Sequence, residues 1–189
     1  ASSRFEVPLV FAGLLVTAAG LLGPVAVIDE DETINVTNSV FVEGDGLLNV
    51  AGGTLTMGGG SVSAGGALVV AGGEADFGGG LTNNGDVVLV DAVTAGTLIN
   101  NADLTLVNTV LGGGLTANAT GTISLGIGAT GNADVLALSG SAALAGTLEV
   151  SLDATAGLAV GDEIDLLIVN AGVTGTFDTE VLPSPSGGL

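Results

Sequence analysis

The chain has 189 residues, of which 47% are hydrophobic and 34 are glycine; Arg4 is its one basic side chain, His and Cys are absent, and the net charge is −19. Hydrophobicity at that level excludes a disordered low-complexity tract, and glycines without a three-residue period exclude collagen. The lack of clustered Lys and Arg excludes nucleic acid as a partner and excludes docking on an anionic membrane through a basic patch, while the lack of Cys excludes disulfides and thiolate metal sites.

In chain order, the first feature is "VPLVFAGLLVTAAGLLGPVAVI" at 7–28, a stretch without charge that "DEDE" at 29–32 stops abruptly. Three readings of it stand side by side: a leftover secretory signal, a retained membrane anchor of about the roughly 20 residues a spanning helix needs, or an apolar segment buried between subunits of an assembly. On the third reading Phe5, Val7, Leu9, Phe11, Leu14, Leu15, Leu21 and Leu22 are the self-assembly residues. A membrane is a partner only if residues 7–28 act as an anchor. Residues 29–40 read as an acidic linker.

The repeats begin after that. "LLNVAGGTLTMGGG" (47–60) aligns without gaps on "ALVVAGGEADFGGG" (67–80), an offset of 20 residues. "LTNNGDVVLV" (81–90) aligns on "LINNADLTLV" (98–107), an offset of 17, and "LTANATGTISL" (115–125) follows at a further 17. "GTLEVSLD" and "EIDLLIVN" continue the rhythm with longer connections. The unit reads as strand, corner, strand, corner. Within the strands the apolar residues alternate: Ile123, Leu125 and Ile127 share one face, as do Leu148, Val150 and Leu152. Recurrent glycine pairs disfavour a helix by about 1 kcal/mol per residue.

A unit this short cannot bury its own apolar face, whereas stacked units can. The fold expected is therefore all-β: a parallel β-helix (β-solenoid) of about seven coils of 17–20 residues over 41–181, preceded by the apolar segment 1–28 and followed by a tail at 182–189. The register places Leu55 over Ala75, Met57 over Phe77, and Thr54 and Thr56 over Glu74 and Asp76. Gly, and after it Asn at 83–84 and 100–101, is expected at corners that need positive φ, with stacked Asn able to form amide ladders.

At this point a resemblance enters. The pattern "GGGLTNNGDVVLV" and the later "LAGTLEVSLDATAGLAVGDEIDLLIVNAGVTGTFDT" (144–179) resemble autotransporter-associated strand repeats and related passenger-like β-helices of exported bacterial proteins. The resemblance covers about 41–182 and implies architecture and export. A looser likeness joins "RFE" and the run after it to the start of a mature type IV pilin, with Glu6 one place later than in that pattern.

Enzyme chemistry finds little support. A polysaccharide lyase needs a Lys or Arg base, a nucleophilic hydrolase needs a base that is usually His, and a glycosidase needs paired carboxylates, commonly beside an aromatic platform that a chain without Trp or Tyr lacks. For metals, the carboxylates Asp29, Glu30, Asp31 and Glu32, and Asp162, Glu163 and Asp165, offer oxygen ligands but match no calcium-loop pattern. Solvated charge is the first reading and loosely held calcium the second; no cofactor is expected. Asn35 and Asn118 lie in glycosylation sequons. The function expected is a non-enzymatic, extracellular structural protein, a homopolymer subunit of a surface filament or matrix that stacks by its solenoid and buries the N-terminal segment. The alternative is a membrane-anchored or passenger-like adhesin on the cell surface.

Overall fold

A computed structural model of the chain describes residues 9–11, 14–17, 25–128, 133–153, 158 and 161–183. They form 24 strands, which fall into three parallel eight-stranded sheets with one strand of each sheet in every turn of the chain. The first coil contains β1 (Leu9–Phe11), β2 (Leu14–Thr17) and β3 (Val25–Asp29); the second β4 (Thr33–Val36), β5 (Val40–Glu43) and β6 (Leu47–Ala51). The third holds β7 (Thr54–Met57), β8 (Gly60–Val62) and β9 (Ala67–Ala71); the fourth β10 (Glu74–Asp76), β11 (Leu81–Asn83) and β12 (Asp86–Val90). The fifth holds β13 (Val93–Ala95), β14 (Leu98–Asn100) and β15 (Asp103–Val107); the sixth β16 (Thr109–Leu111), β17 (Leu115–Ala117) and β18 (Thr122–Ile127). The seventh holds β19 (Leu136–Leu138), β20 (Ala142–Leu144) and β21 (Thr147–Leu152); the eighth β22 (Leu167–Val169), β23 (Val173–Gly175) and β24 (Thr179–Val181). We call the sheet of each coil's first strand A, of its second B and of its third C. At about 4.8 Å per coil, the rod is about 34 Å from first coil to last.

The parallel β-helix is thus the fold, with two differences from the sequence reading. Each coil has three strands where two were expected, because from the third coil on the sheet-B strands are only three residues long and hide among glycines, as "GSV" and "LTN" do. Over 41–181 the coils number about seven, as expected, and eight in all. The ladder also starts well before residue 41: β1 pairs with β4, β2 with β5 and β3 with β6. The expected linker at 29–40 contains a corner and β4, and the described parts of 1–28 form the first coil. A continuous apolar run shows no period-two signal, so its strands are silent in the sequence. Among the described residues no helix is long and apolar enough to cross a membrane.

The stacking register is the one the repeat gives: Leu55 pairs with Ala75, and Thr54 and Thr56 with Glu74 and Asp76. Met57 and Phe77 are both buried. From the second coil to the seventh, alternate strand residues point into an apolar core filled mainly by Val, Leu and Ile. One interior column of sheet C runs Leu48, Leu68, Val87, Leu104, Ile123, Leu148. Connections lengthen toward the C-terminus, so that residues 32 apart meet there, as Gly146 and Asp178 do, against 17 apart in the middle of the rod. Packing loosens in parallel. A small apolar cavity of about 30 Å³ lies between Leu115, Ile123, Leu136, Leu148, Leu167 and Phe177, and β23 and β24 are exposed throughout.

The twin "VAGG" motifs divide their glycines between two tasks. Gly52 and Gly72 turn the chain from sheet C to sheet A at φ +83° and +66°, and Asp91 and Asn108 take the same left-handed corner in the next two coils at φ 47° and 45°. Gly73 serves contact instead: a Cβ there would stand 2.7 Å from the Gly53 carbonyl oxygen and 3.0 Å from Val50 Cγ1 in the coil before. The asparagine pairs correct the corner argument. None of Asn83, Asn84, Asn100 and Asn101 has positive φ; they serve the amide ladders.

Candidate functional site

The outward-facing side chains form columns, one residue per coil, so each face of the rod has a composition of its own. On sheet A one column runs Thr54, Glu74, Val93, Val110, Ala137 and Ile168. It is polar and charged in the third and fourth coils and apolar beyond. On sheet C the outer positions of β12 and β15 place Asp86 directly beside Asp103, with Val88 next to Thr105 and Val90 next to Val107.

Sheet B is different. Its central outward column runs Phe41, Ser61, Thr82, Ile99, Thr116, Ala143 and Thr174. From the third coil to the seventh, each strand and its flanking corners fall in 58–66, 77–85, 96–102, 112–121 and 139–146, and none of these segments contains a charged residue; in the eighth coil Asp178 stands in the corner after β23. In a chain with 20 carboxylates that is a marked segregation. Many of the acids lie instead where the chain passes from sheet C to sheet A: Glu30, Asp31, Glu32, Asp91, Asp134, Asp153, Asp162, Glu163 and Asp165. In a three-sided coil that corner is the edge opposite sheet B. The rod is therefore acidic along one edge and, from the third coil to the seventh, charge-free on the facing side; Glu43 in the second coil and Asp178 in the eighth bound that stretch.

Two amide ladders border sheet B. The inner one is buried: Asn83 Nδ2 donates to Asn100 Oδ1 at 2.8 Å and to the Asp103 carbonyl at 2.8 Å, while the Gly85 N–H donates to Asn83 Oδ1 at 3.0 Å. Asn100 Nδ2 donates to the carbonyls of Ala102 and Thr122 at 2.9 and 3.0 Å. These bonds offset the cost of burying two amides in an otherwise apolar column. The outer ladder lies at the surface: Asn101 Nδ2 donates to Asn84 Oδ1 at 2.9 Å, and Asn118 Nδ2 donates to Asn101 Oδ1. Asn118, one of the two sequon residues, is thus half-buried and bonded to its neighbour in the coil before.

The candidate metal ligands sit on the acidic edge. Asp29 ends β3, and Glu30, Asp31 and Glu32 form the turn after it, where the Asp29 N–H donates to Glu32 Oε2 at 3.0 Å. Asp162, Glu163 and Asp165 occupy the irregular stretch before β22. Among the described residues, no three carboxylates come together in a group suited to a metal ion. One carboxyl on this edge is perturbed: burial pushes Asp134 above its ordinary value and the charge of Asp91 adds to the shift, against a hydrogen bond from the Gly126 backbone.

Of the expected self-assembly residues, Leu9 and Phe11 lie in β1 and Leu14 and Leu15 in β2; Phe5, Val7, Leu21 and Leu22 lie outside the described residues. Sequence reasoning missed the charge-free face altogether. Its signal was present as five segments without a charge, but only the three-strand coil places them on one side. Compared with protein-family models, with curated proteins and with solved structures, the chain matches none.

Proposed function

We propose that this chain is a non-enzymatic structural protein: a short rod that builds an extracellular surface filament or matrix by self-association, as the likeness to exported passenger-like repeats implies. The observation that carries the reading is the continuation of the solenoid through the apolar N-terminal segment. The strand sequences of the first coil, "LVF", "LLVT" and "VAVID", contain one charge, Asp29. They are the outermost described strands of all three sheets. Outermost strands offer unpaired N–H and C=O groups to another chain. An apolar coil in that position suits burial between copies by solenoid stacking.

The acidic edge limits how closely copies approach. Cations that screen it favour bundling, and a calcium titration followed by EDTA reads that effect. Removing residues 1–28 makes the second coil outermost, which carries Glu43 and Asp45. Negative-stain microscopy should show fibres from the full chain and dispersed particles from the shortened one; fibres from both would overturn the role of the first coil.

A further inference from the structure

We propose that the outer face of sheet B, from Ser61 to Ala143, is a surface on which two copies of this chain pair side by side. The inference deepens the structural reading above and rests on it for its biological setting. Its physical ground is separate: it is the distribution of charge around the rod.

Each copy carries a net charge of −19. Contact through sheet A brings Glu74 and Asp76 into the interface, and contact through sheet C brings Asp86, Asp103 and Glu149, all of them exposed. No lysine is available to pair with any of these, and Arg4 is the one cation. Carboxylates buried without partners would each cost several kcal/mol in effective terms. Sheet B has no such cost over five coils, from the third to the seventh. Pairing on it also turns the acidic edges of the two rods away from each other, to opposite sides of the pair. That charge pattern selects a second copy of this chain as occupant: among side-by-side contacts along the rod, this is the one that turns the acidic edges of both copies outward.

The face suits the contact. Its central column, Ser61, Thr82, Ile99, Thr116 and Ala143, presents one small or β-branched side chain per coil at the coil spacing of about 4.8 Å. The glycine corners on one flank add no bulk, and the outer asparagine ladder on the other supplies amide groups for hydrogen bonds across the pair. A two-fold axis would make the contact self-complementary.

Sedimentation velocity of the full chain, below the concentration at which fibres form, tests the pairing. The wild type should sediment as a pair. Thr116→Asp, in the centre of the face, should sediment as a single rod with an unchanged circular-dichroism spectrum. Val110→Asp, which adds the same charge on sheet A, should remain paired. A wild type that is single at every concentration overturns the proposal, as does a paired Thr116→Asp or a Val110→Asp that separates equally. If Thr116→Asp loses its β signal, Ile99→Glu takes its place. Hydrogen exchange of the wild type needs no variant: with rising concentration, protection should increase at 97–101 and 113–118 but not at 54–57, and a uniform change contradicts the pairing. Fibres one solenoid wide would leave the structural role standing and remove the pairing; paired rods that never form fibres would do the reverse.

Discussion

Leu148 and Glu180 are partners in neighbouring strands of sheet C, so a column that is apolar from Leu48 onward reaches a carboxylate in the eighth coil. By register Glu180 takes a core-facing position, yet it is exposed because, among the described strands, β24 has a neighbour on one side only. An inward-pointing charge on an edge strand is a known way to stop further strands from adding. Stacking another coil there would bury the charge without a partner. Axial stacking at this end therefore carries a penalty that slows growth without abolishing it, and we predict that Glu180→Leu eases it. Its fibres should be longer than those of the wild type in electron micrographs at matched concentration; equal length distributions would count against that penalty.

The buried ladder gives a second prediction. Asn100→Ala removes three hydrogen bonds: one Asn83 Nδ2 proton loses its acceptor, and the Ala102 and Thr122 carbonyls lose a donor, the Ala102 carbonyl keeping its bond from the Thr122 N–H. An unsatisfied buried group costs about 1–3 kcal/mol, so the loss should be about 2 kcal/mol. Asn101→Ala, in the outer ladder, should cost about 1 kcal/mol or less. Urea melts of the two variants compare them. Equal losses would mean that burial does not separate the two ladders.

The "VAGG" glycines predict a contrast between neighbours. Gly72→Ala meets nothing within 4 Å and is strained only by its φ of +66°, a cost of about 1–2 kcal/mol. Gly72→Asn should recover part of this, since Asn108 holds the same corner two coils on. Gly73→Ala forces a methyl group against the Gly53 carbonyl and should cost about 2–3 kcal/mol. Thermal melts that rank Gly73→Ala as the milder change would contradict the assignment.

Asp134 gives a pH dependence. Its folded-state pKa lies above the ordinary 3.8, so the native state binds the proton more tightly than the unfolded chain does. Stability from this group therefore falls as pH rises through the interval between the two values, and the penalty is complete above the folded value. Asp134→Asn should be the more stable protein at pH 7, and its advantage should shrink as the pH drops through that interval. Comparing the two proteins cancels the repulsion among the other carboxylates. An advantage that grows on acidification would reverse the sign of the argument.

Sequence legibility followed the chemistry of each segment. Leu55 over Ala75 was readable because the glycines that bracket these strands repeat at fixed spacing. Ile123, Leu125 and Ile127 were readable because alternation survives in a strand with one solvated face. β1 to β3 were not, since a run that is apolar on both faces shows no alternation. The asparagine pairs signalled stacking correctly, but which amide points inward is decided by the coil: Asn83 and Asn100 are fully buried, while Asn84 is exposed. The charge-free face was hidden for a different reason. Its five segments are distant in sequence, and only three strands per coil bring Ser61, Thr82 and Ile99 into one column.

The central claim is that the chain is a self-associating structural rod with its coils stacked along the fibre axis. X-ray diffraction from aligned fibres of the full chain tests it most directly. The account predicts a meridional reflection near 4.8 Å, the spacing of coils along the rod. Solutions that stay as single short particles at every concentration, and yield no fibres to align, would contradict it.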